Sequence, residues 1–579
     1  MSSLSGRRSY TFGPYLLDVD QRLLLRSGQK VAIRPKIFDT LRALVENNGR
    51  VLHKEELMEL VWPDVAVDES SLMHNLSVLR KVLGQDRDHQ YVVTIRGRGY
   101  RFTAPVEAAL EGSIAVRPFA NMSPDPDQDF FCDGIAEEII DALASVEGLR
   151  VVGRMSSFDR RLRDLSASTV GEKLAVSAIL QGSVRKAGER LRVSTQLIRT
   201  SDGTQLWSDH YDRELGDVFE IQEAIARAVV EHVRMKLLAP HPGPVVPRYT
   251  DNPDVYRLYL EARYCLNFQT YDRFRQAIEV LDRALKLQPD FARAHAQLAV
   301  CYVSLAIYGF LSAREAVPKA EEAIGRALEL NGSSVLAYRA LGLLSAAFRW
   351  DWPAAQQAYR RALLLDPGNS MAHYSYGNHF LSPVGRVHEA EREIRTAVDL
   401  DPLAPVIGQG LCQTLYYRRR YEEAAEQALR TLALEENFPI VRSLLAACYS
   451  AMGEPDDAVK ARQAHLRITG RAEEAEAMGR VYAKKGEPGV LRWMVDQQLR
   501  RTDTGEDRSA ALAVLYAWLE EKETALCCLE DALNARFGAV LWTKVHPAFD
   551  CLRDEPRFQE LVDVMGVNDP RVAATAPAG

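Results

Sequence analysis

Nowhere in the 579 residues is there a window of about 18 uninterrupted apolar residues, so nothing in the chain reads as a membrane span. The first ten residues carry basic side chains with no apolar run behind them, and a secretory signal peptide is not expected. The eight cysteines include no C-x-x-C pair, and most stand inside apolar helical stretches. They read as small core residues in a reducing compartment. The twelve histidines form no H-x-x-x-H pair and no cluster with cysteine, so a zinc site is not expected. Also missing are a nucleophile–base motif and a cofactor fingerprint, so the expectation is no enzyme, no catalytic residue, no cofactor and no metal. Gly182-Ser183-x-x-Lys186 falls short of the G-x-x-x-x-G-K-[ST] phosphate loop and reads as a hairpin. Positive charge is scarce as well. The net charge of −7 by itself argues against a nucleic-acid binder. That charge is unevenly divided, however, with +4 on residues 1–106 and −11 on the rest. A basic head on an acidic body confines any DNA binding to the N-terminus.

The most informative stretch is residues 67–102. Leu72, Leu76, Leu79 and Leu83 recur at helical spacing and make one apolar face, with Asp68 or Ser70 as the cap. The polar face carries Ser71, His74 and Asn75, with Arg80 and Lys81 toward the end. Tyr91–Ile95 and Tyr100–Phe102 read as two strands around the turn Arg96-Gly97-Arg98-Gly99. A polar-faced helix beside an arginine-tipped hairpin suits a duplex, the helix in the major groove and the arginines at phosphates or the minor groove. Before it, residues 10–33 alternate as short strands, Pro35–Asn47 is an amphipathic helix and His53–Trp62 a second one.

With these landmarks, residues 10–106 resemble the winged helix-turn-helix domain of OmpR/PhoB-type response regulators and ToxR/CadC-type regulators. The matching strings include Gly49-Arg50-Val51-Leu52, Leu79-Arg80-Lys81-Val82-Leu83-Gly84 and Arg96-Gly97-x-Gly99-Tyr100-Arg101-Phe102. The resemblance implies double-stranded promoter DNA as partner. Ser71, His74, Asn75 and Val78 are then expected at the groove, and Arg80, Lys81, Thr94, Arg96 and Arg98 at phosphates or the minor groove. Thr94 and Arg96 match the family's wing positions, and Arg98 follows from its place at the turn. Where family members often carry Arg in mid-helix this chain has Ser77 and Val78, so the base preference does not carry over. In two-component relatives the loop equivalent to 63–70 can face RNA polymerase, which makes the polymerase an expected partner. ToxR/CadC-type regulators follow this domain with a membrane span. None is read here, nor a receiver domain ahead of residue 10, so input is expected in the cytoplasm through residues 107–579.

Residues 113–238 read as an α/β domain: a strand at Ser113–Phe119, a helix at Asp129–Val146, a strand at Leu149–Arg154, a helix at Ser168–Val176, three β-runs between Ile179 and Tyr211, and a closing helix from Val218. Ile114-Ala115-Val116-x-Pro118-Phe119 and Leu180-x-Gly182-Ser183-Val184-Arg185 make it similar to the TolB N-terminal-like domain of bacterial TPR proteins, some class III adenylate cyclases among them. Asp129, Asp133, Glu137 and Glu138 suggest a carboxylate site, but acidic residues early in a helix are the preferred reading. Residues 239–253 are a Pro-rich linker. Beyond it, Ala355, Ala390, Ala424 and Ala458 recur at steps of 35, 34 and 34, several of these segments ending in Pro. That period resembles tetratricopeptide (TPR) repeats, about six of them over 254–566 with a C-terminal cap. Such an array offers a concave groove to an unknown protein or peptide. Residues 1–9 and 567–579 read as disordered.

The expected protein is therefore multidomain: a winged helix, a central α/β domain and an all-α TPR solenoid. Its expected function is a soluble one-component transcriptional regulator, binding as tandem copies or a dimer because one small domain reads little sequence. The alternatives are a TPR scaffold whose winged helix binds protein and, further off, an enzyme with a catalytic middle domain.

Overall fold

The computed structural model describes residues 9–569 except 20–21, 27–28, 63–67, 86–89, 96, 105, 109–112, 124–128, 145, 147–148, 188–189, 215–217, 235–248, 267–270, 308, 501–506 and 537. Arg96, most of the 63–70 loop, most of the Pro-rich linker and both outer ends of the chain thus lie outside the described residues.

The head opens with β1 (Ser9–Phe12), β2 (Tyr15–Asp18), β3 (Leu23–Arg26) and β4 (Gln29–Val31). Then come α1 (Pro35–Glu46), β5 (Val51–Leu52), α2 (Lys54–Val61), α3 (Glu69–Val82), β6 (Val92–Ile95), β7 (Gly99–Phe102) and β8 (Glu107–Ala108). One antiparallel sheet runs β4-β3-β2-β1-β8, and the wing is β5-β7-β6. Pro35 begins α1 because a helix's first turn needs no donor from it. Phe12, Tyr15, Leu41, Leu72, Leu79 and Phe102 meet in a core made of head residues alone.

The central unit comprises β9 (Ser113–Val116), β10 (Ala120–Asn121), α4 (Asp129–Ala144), β11 (Arg150–Val151), α5 (Arg154–Ser157), α6 (Ala167–Leu174), β12 (Ala178–Ala187), β13 (Arg190–Arg199), β14 (Gln205–Glu214) and α7 (Val218–Arg234). Its sheet runs β11-β9-β12-β13-β14, with β10 also on β12. The expected strand at Leu149–Arg154 is only two residues long, because the chain turns at Gly153 into α5.

The helical part follows as α8 (Pro253–Cys265), α9 (Tyr271–Leu287), α10 (Ala292–Ile307), α11 (Ala313–Leu330), α12 (Val335–Leu344), α13 (Trp352–Leu365), α14 (Ser370–Tyr376) and α15 (Val387–Leu400). It continues with α16 (Pro405–Tyr417), α17 (Tyr421–Leu434), α18 (Pro439–Met452), α19 (Pro455–Ile468), α20 (Ala472–Arg500), α21 (Asp507–Trp518), α22 (Lys522–Asn534) and α23 (Pro556–Val564). Ala355, Ala390, Ala424 and Ala458 are all fully buried, as the close approach of paired helices requires. None of the helices among the described residues is long and apolar enough to cross a membrane.

Three features depart from the sequence reading. Part of the Pro-rich segment is packed: Pro253 starts α8, Thr250 is buried, and Arg293 lies 3.2 Å from the centre of the Tyr249 ring. Val567, read as tail, is buried in the core. The C-terminal residues do more than cap the last repeat. The Trp352 indole donates to the Met565 carbonyl, the Trp542 indole to the Asn378 carbonyl at 2.8 Å, and Lys544 to Val384 at 3.0 Å. The segment 538–567 thus lies back against helices of the array.

The central and helical parts share one continuous core. They are also tied by charge. Glu137 and Glu138 of α4, 3% and 1% exposed, face arginines from three other helices. Arg154 pairs with Glu137; Arg263 reaches Glu137 at 2.9 Å and Glu138 at 2.7 Å; Arg293 reaches Glu138 at 2.7 Å. These two carboxylates are neither a metal pair nor simple dipole partners: each buried charge has its counter-ion. Asp401, at the end of α15, accepts from the Ser156 amide at 2.7 Å and from the Ser156 hydroxyl.

Candidate nucleic-acid interface

The head is built around α3. Asp68 caps it, accepting from the Ser70 amide at 2.8 Å, and those Ser70 bonds hold the Asp68 carboxyl below its ordinary range. Leu72, Leu76 and Leu79 are buried, which fixes the helix's rotation. Ser70, Met73, His74, Ser77 and Lys81 are then all exposed, one stripe along the opposite face.

Lys81 and His74 stand on that stripe as expected. Ser71 and Val78 are half-buried at its edges, Val78 packed against the head's core. Asn75 is elsewhere. It is 7% exposed, and its amide donates to the Lys36 carbonyl at 3.2 Å and the Thr40 hydroxyl at 3.1 Å. The expectation that Asn75 faces the groove is corrected: it ties α3 to α1. The reason is phase, since position 75 lies three residues from Leu72 and four from Leu79. The same phase puts Met73 (63% exposed) and Ser77 outward, and the sequence reading passed over both as candidates. Methionine reads as core by composition, but the leucine spacing already placed residue 73 on the far side.

The wing stands against the end of α3. The Arg80 guanidinium donates to the Val92 carbonyl at 3.2 Å and the Thr94 hydroxyl at 2.8 Å, so Arg80 braces helix and wing together. Gln85 adds a clamp, accepting from the Val92 amide at 3.0 Å and donating to the Val92 carbonyl at 3.2 Å. At the tip the Arg98 amide closes the turn on the Ile95 carbonyl at 2.9 Å, and the Arg98 side chain is exposed, as is Thr94. Gly97 has φ +73° and Gly99 φ +137°; a Cβ on Gly99 would stand 2.0 Å from the Leu52 carbonyl oxygen. Only glycine lets β7 lie this close to β5. Lys81 and the helix stripe face outward from α3, Arg98 is exposed on the wing that Arg80 ties to that helix, and Asn75 faces α1.

A helix with an outward polar stripe, braced to a glycine-hinged wing, defines a winged-helix DNA-binding domain. Residues 28–102 match the family described as "Transcriptional regulatory protein, C terminal", and residues 272–305 and 344–405 match "Tetratricopeptide repeat". The chain is 26% identical over 470 residues to "Transcriptional regulator HilA" of Salmonella typhi, covering 78% of this chain and 82% of that one. It is 38% identical over 197 residues to "Putative adenylate cyclase 3" of Rhizobium meliloti; that match covers 34% of this chain and spans only 33% of the relative. Among solved structures, the DNA-binding domain of Escherichia coli CadC is 27% identical and matches 18% of this chain and 99% of that one, with a TM-score of 0.17.

Proposed function

We propose that this protein regulates transcription by binding promoter DNA through its head and receiving its input through the rest of the chain. The observation that carries the reading is the exposed stripe Ser70, Met73, His74, Ser77 and Lys81, set beside a wing tip with Arg98. With α3 in the major groove, Lys81, Arg98 and Arg96 neutralise phosphates, while His74, Ser77 and Met73 meet base edges, Met73 suiting a thymine methyl. Arg80 and Thr94 hold the wing in place and Asn75 holds α3. The head is residues 10–106, followed by a TolB-like unit over 113–238 and the repeats over 254–566. The repeats serve protein interaction, the 63–70 loop faces RNA polymerase, and heads bind in pairs. The protein works in the cytoplasm, as a binding protein and not as a catalyst.

The test is selection of sheared genomic DNA by the full-length protein at near-physiological salt, beside a Lys81→Ala/Arg98→Ala control. Enriched fragments sharing a repeated half-site, lost in the control, are expected. Equal recovery by both proteins would overturn the reading and leave a winged helix that binds protein.

A further inference from the structure

The fold-back of the C-terminal segment creates a second feature. Between α16 and α18–α22 on one side and residues 540–549 on the other lies a cavity of about 550 Å³. That is the size range of small-molecule sites, roughly 300–1,000 Å³. The returning chain forms one of its walls.

Its lining is of two kinds. Trp493, Trp518 and Trp542 supply flat apolar surface. The charged residues in the wall are arginines, Arg462 and Arg471; no aspartate or glutamate lines it among the described residues. Each arginine already has a carboxylate partner outside the lining. Arg462 is held by Glu487 at 2.9 Å and Ser450 at 2.8 Å, and Arg471 by Glu474 at 2.8 Å. These bonds fix both guanidiniums in place while engaging only part of their five donors each. The walls are set in advance too, since Trp542 is pinned by its bond to Asn378. Aromatic faces beside guanidiniums that keep donors beyond their own carboxylate pairs suit a flat, amphipathic anion.

We propose that this cavity binds a small aromatic organic anion, and that it is the ligand end of the regulator, a role that rests on the function proposed above. Aromatic atoms lie on the tryptophans, and the carboxylate or sulfonate takes the unused donors of Arg471 and Arg462.

The test uses full-length protein and two dyes: 1-anilinonaphthalene-8-sulfonate, and its neutral counterpart without the sulfonate, N-phenyl-1-naphthylamine. One saturable site with energy transfer from tryptophan is expected, and the anionic dye should bind about tenfold tighter, the worth of a charge-assisted hydrogen bond. Arg471→Gln should remove that preference and leave the neutral dye unchanged. Ala447→Trp fills the cavity and should abolish both; Val514→Trp, from α21, does the same from another wall should the first variant fail to fold. Absence of a saturable one-to-one site, or dye binding untouched by a folded filling variant, overturns the site. DNA binding by the same preparation separates the two claims: dye without DNA binding sinks the regulatory reading, and DNA binding without dye sinks the cavity alone.

Discussion

Replacing Lys81 and Arg98 together by alanine should flatten the salt dependence of DNA binding by a calculable amount. Both side chains are exposed, neither braces the fold, and they stand at the helix end and the wing tip. Each phosphate contact contributes about 0.9 to the slope of log affinity against log salt, so the pair contributes about 1.8. Between 50 and 200 mM salt, the fall in affinity should shrink by about 12-fold relative to the unaltered protein. Fluorescence anisotropy with a labelled duplex at four salt concentrations reads this directly. Asn75→Ala is the internal contrast. It deletes two neutral hydrogen bonds to α1, so it should cost about 1–2 kcal/mol of head stability while leaving both slope and base preference unchanged in folded protein. An unchanged slope in the double variant, or an altered base preference in Asn75→Ala, would refute the placement of α3 on the duplex.

The joint between the central sheet and the repeats yields two further predictions. Arg293→Ala leaves Glu138 buried with Arg263 as its remaining partner, which should cost about 3 kcal/mol in the transition of the central and helical parts, with the head's own transition unmoved; calorimetry separates the two. Asp401 is buried at that joint, and burial pushes its pKa up to about 6, against the opposing Ser156 bonds. Its folded pKa exceeds its unfolded one, so the native state holds the proton more tightly, and the contribution of Asp401 to stability falls as pH rises from about 4 through 6, by about 3 kcal/mol. Asp133, also pushed up to about 6 by burial, adds a slope of the same sign, while the buried imidazoles of His379 and His546, lowered to about 4, slope the other way; the Asp401 share is therefore read as the difference between the unaltered protein and Asp401→Asn in urea titrations, which should fall by about 3 kcal/mol from about pH 4 to 6. A variant with the full wild-type slope would remove Asp401 from the account. Gly99→Ala, whose methyl would meet the Leu52 carbonyl, should abolish the head's transition and DNA binding while the rest of the chain melts as before.

The head was legible because its elements are local. The leucine spacing gives the rotation of α3, and the glycines around Arg98 give the wing. Asn75 was misplaced for one reason: a polar residue was credited to the polar face without counting its phase against Leu72 and Leu79. The repeats were legible through their alanines, since a 34-residue recurrence of small residues has few structural solutions. Contacts between distant segments left no such trace. Trp352 and Met565 are separated by 213 residues, and Glu138 and Arg293 by 155. No periodicity specifies such partners, so the sequence reading missed both the fold-back and the ionic joint, and with them the cavity.

How a ligand signal reaches DNA then depends on the connection between two cores. The central and helical parts share one core, which offers a contiguous packed path from the cavity wall to the central sheet. The head has its own core, and its last strand, β8, pairs with β1 in the head's sheet, while β9 already belongs to the central sheet. Between Ala108 and Ser113 the chain can reach at most about 18 Å, which restrains the orientation of the head whatever path the residues take. Inserting twelve Gly/Ser residues between positions 110 and 111 removes that restraint and alters no contact of either core. DNA affinity should stay within about twofold, because binding resides in the head alone, while the response of a reporter promoter to the physiological signal should disappear. A reporter that still responds in the insertion variant would mean that the signal passes to the head by direct contact or through a partner protein, and not through the covalent tether.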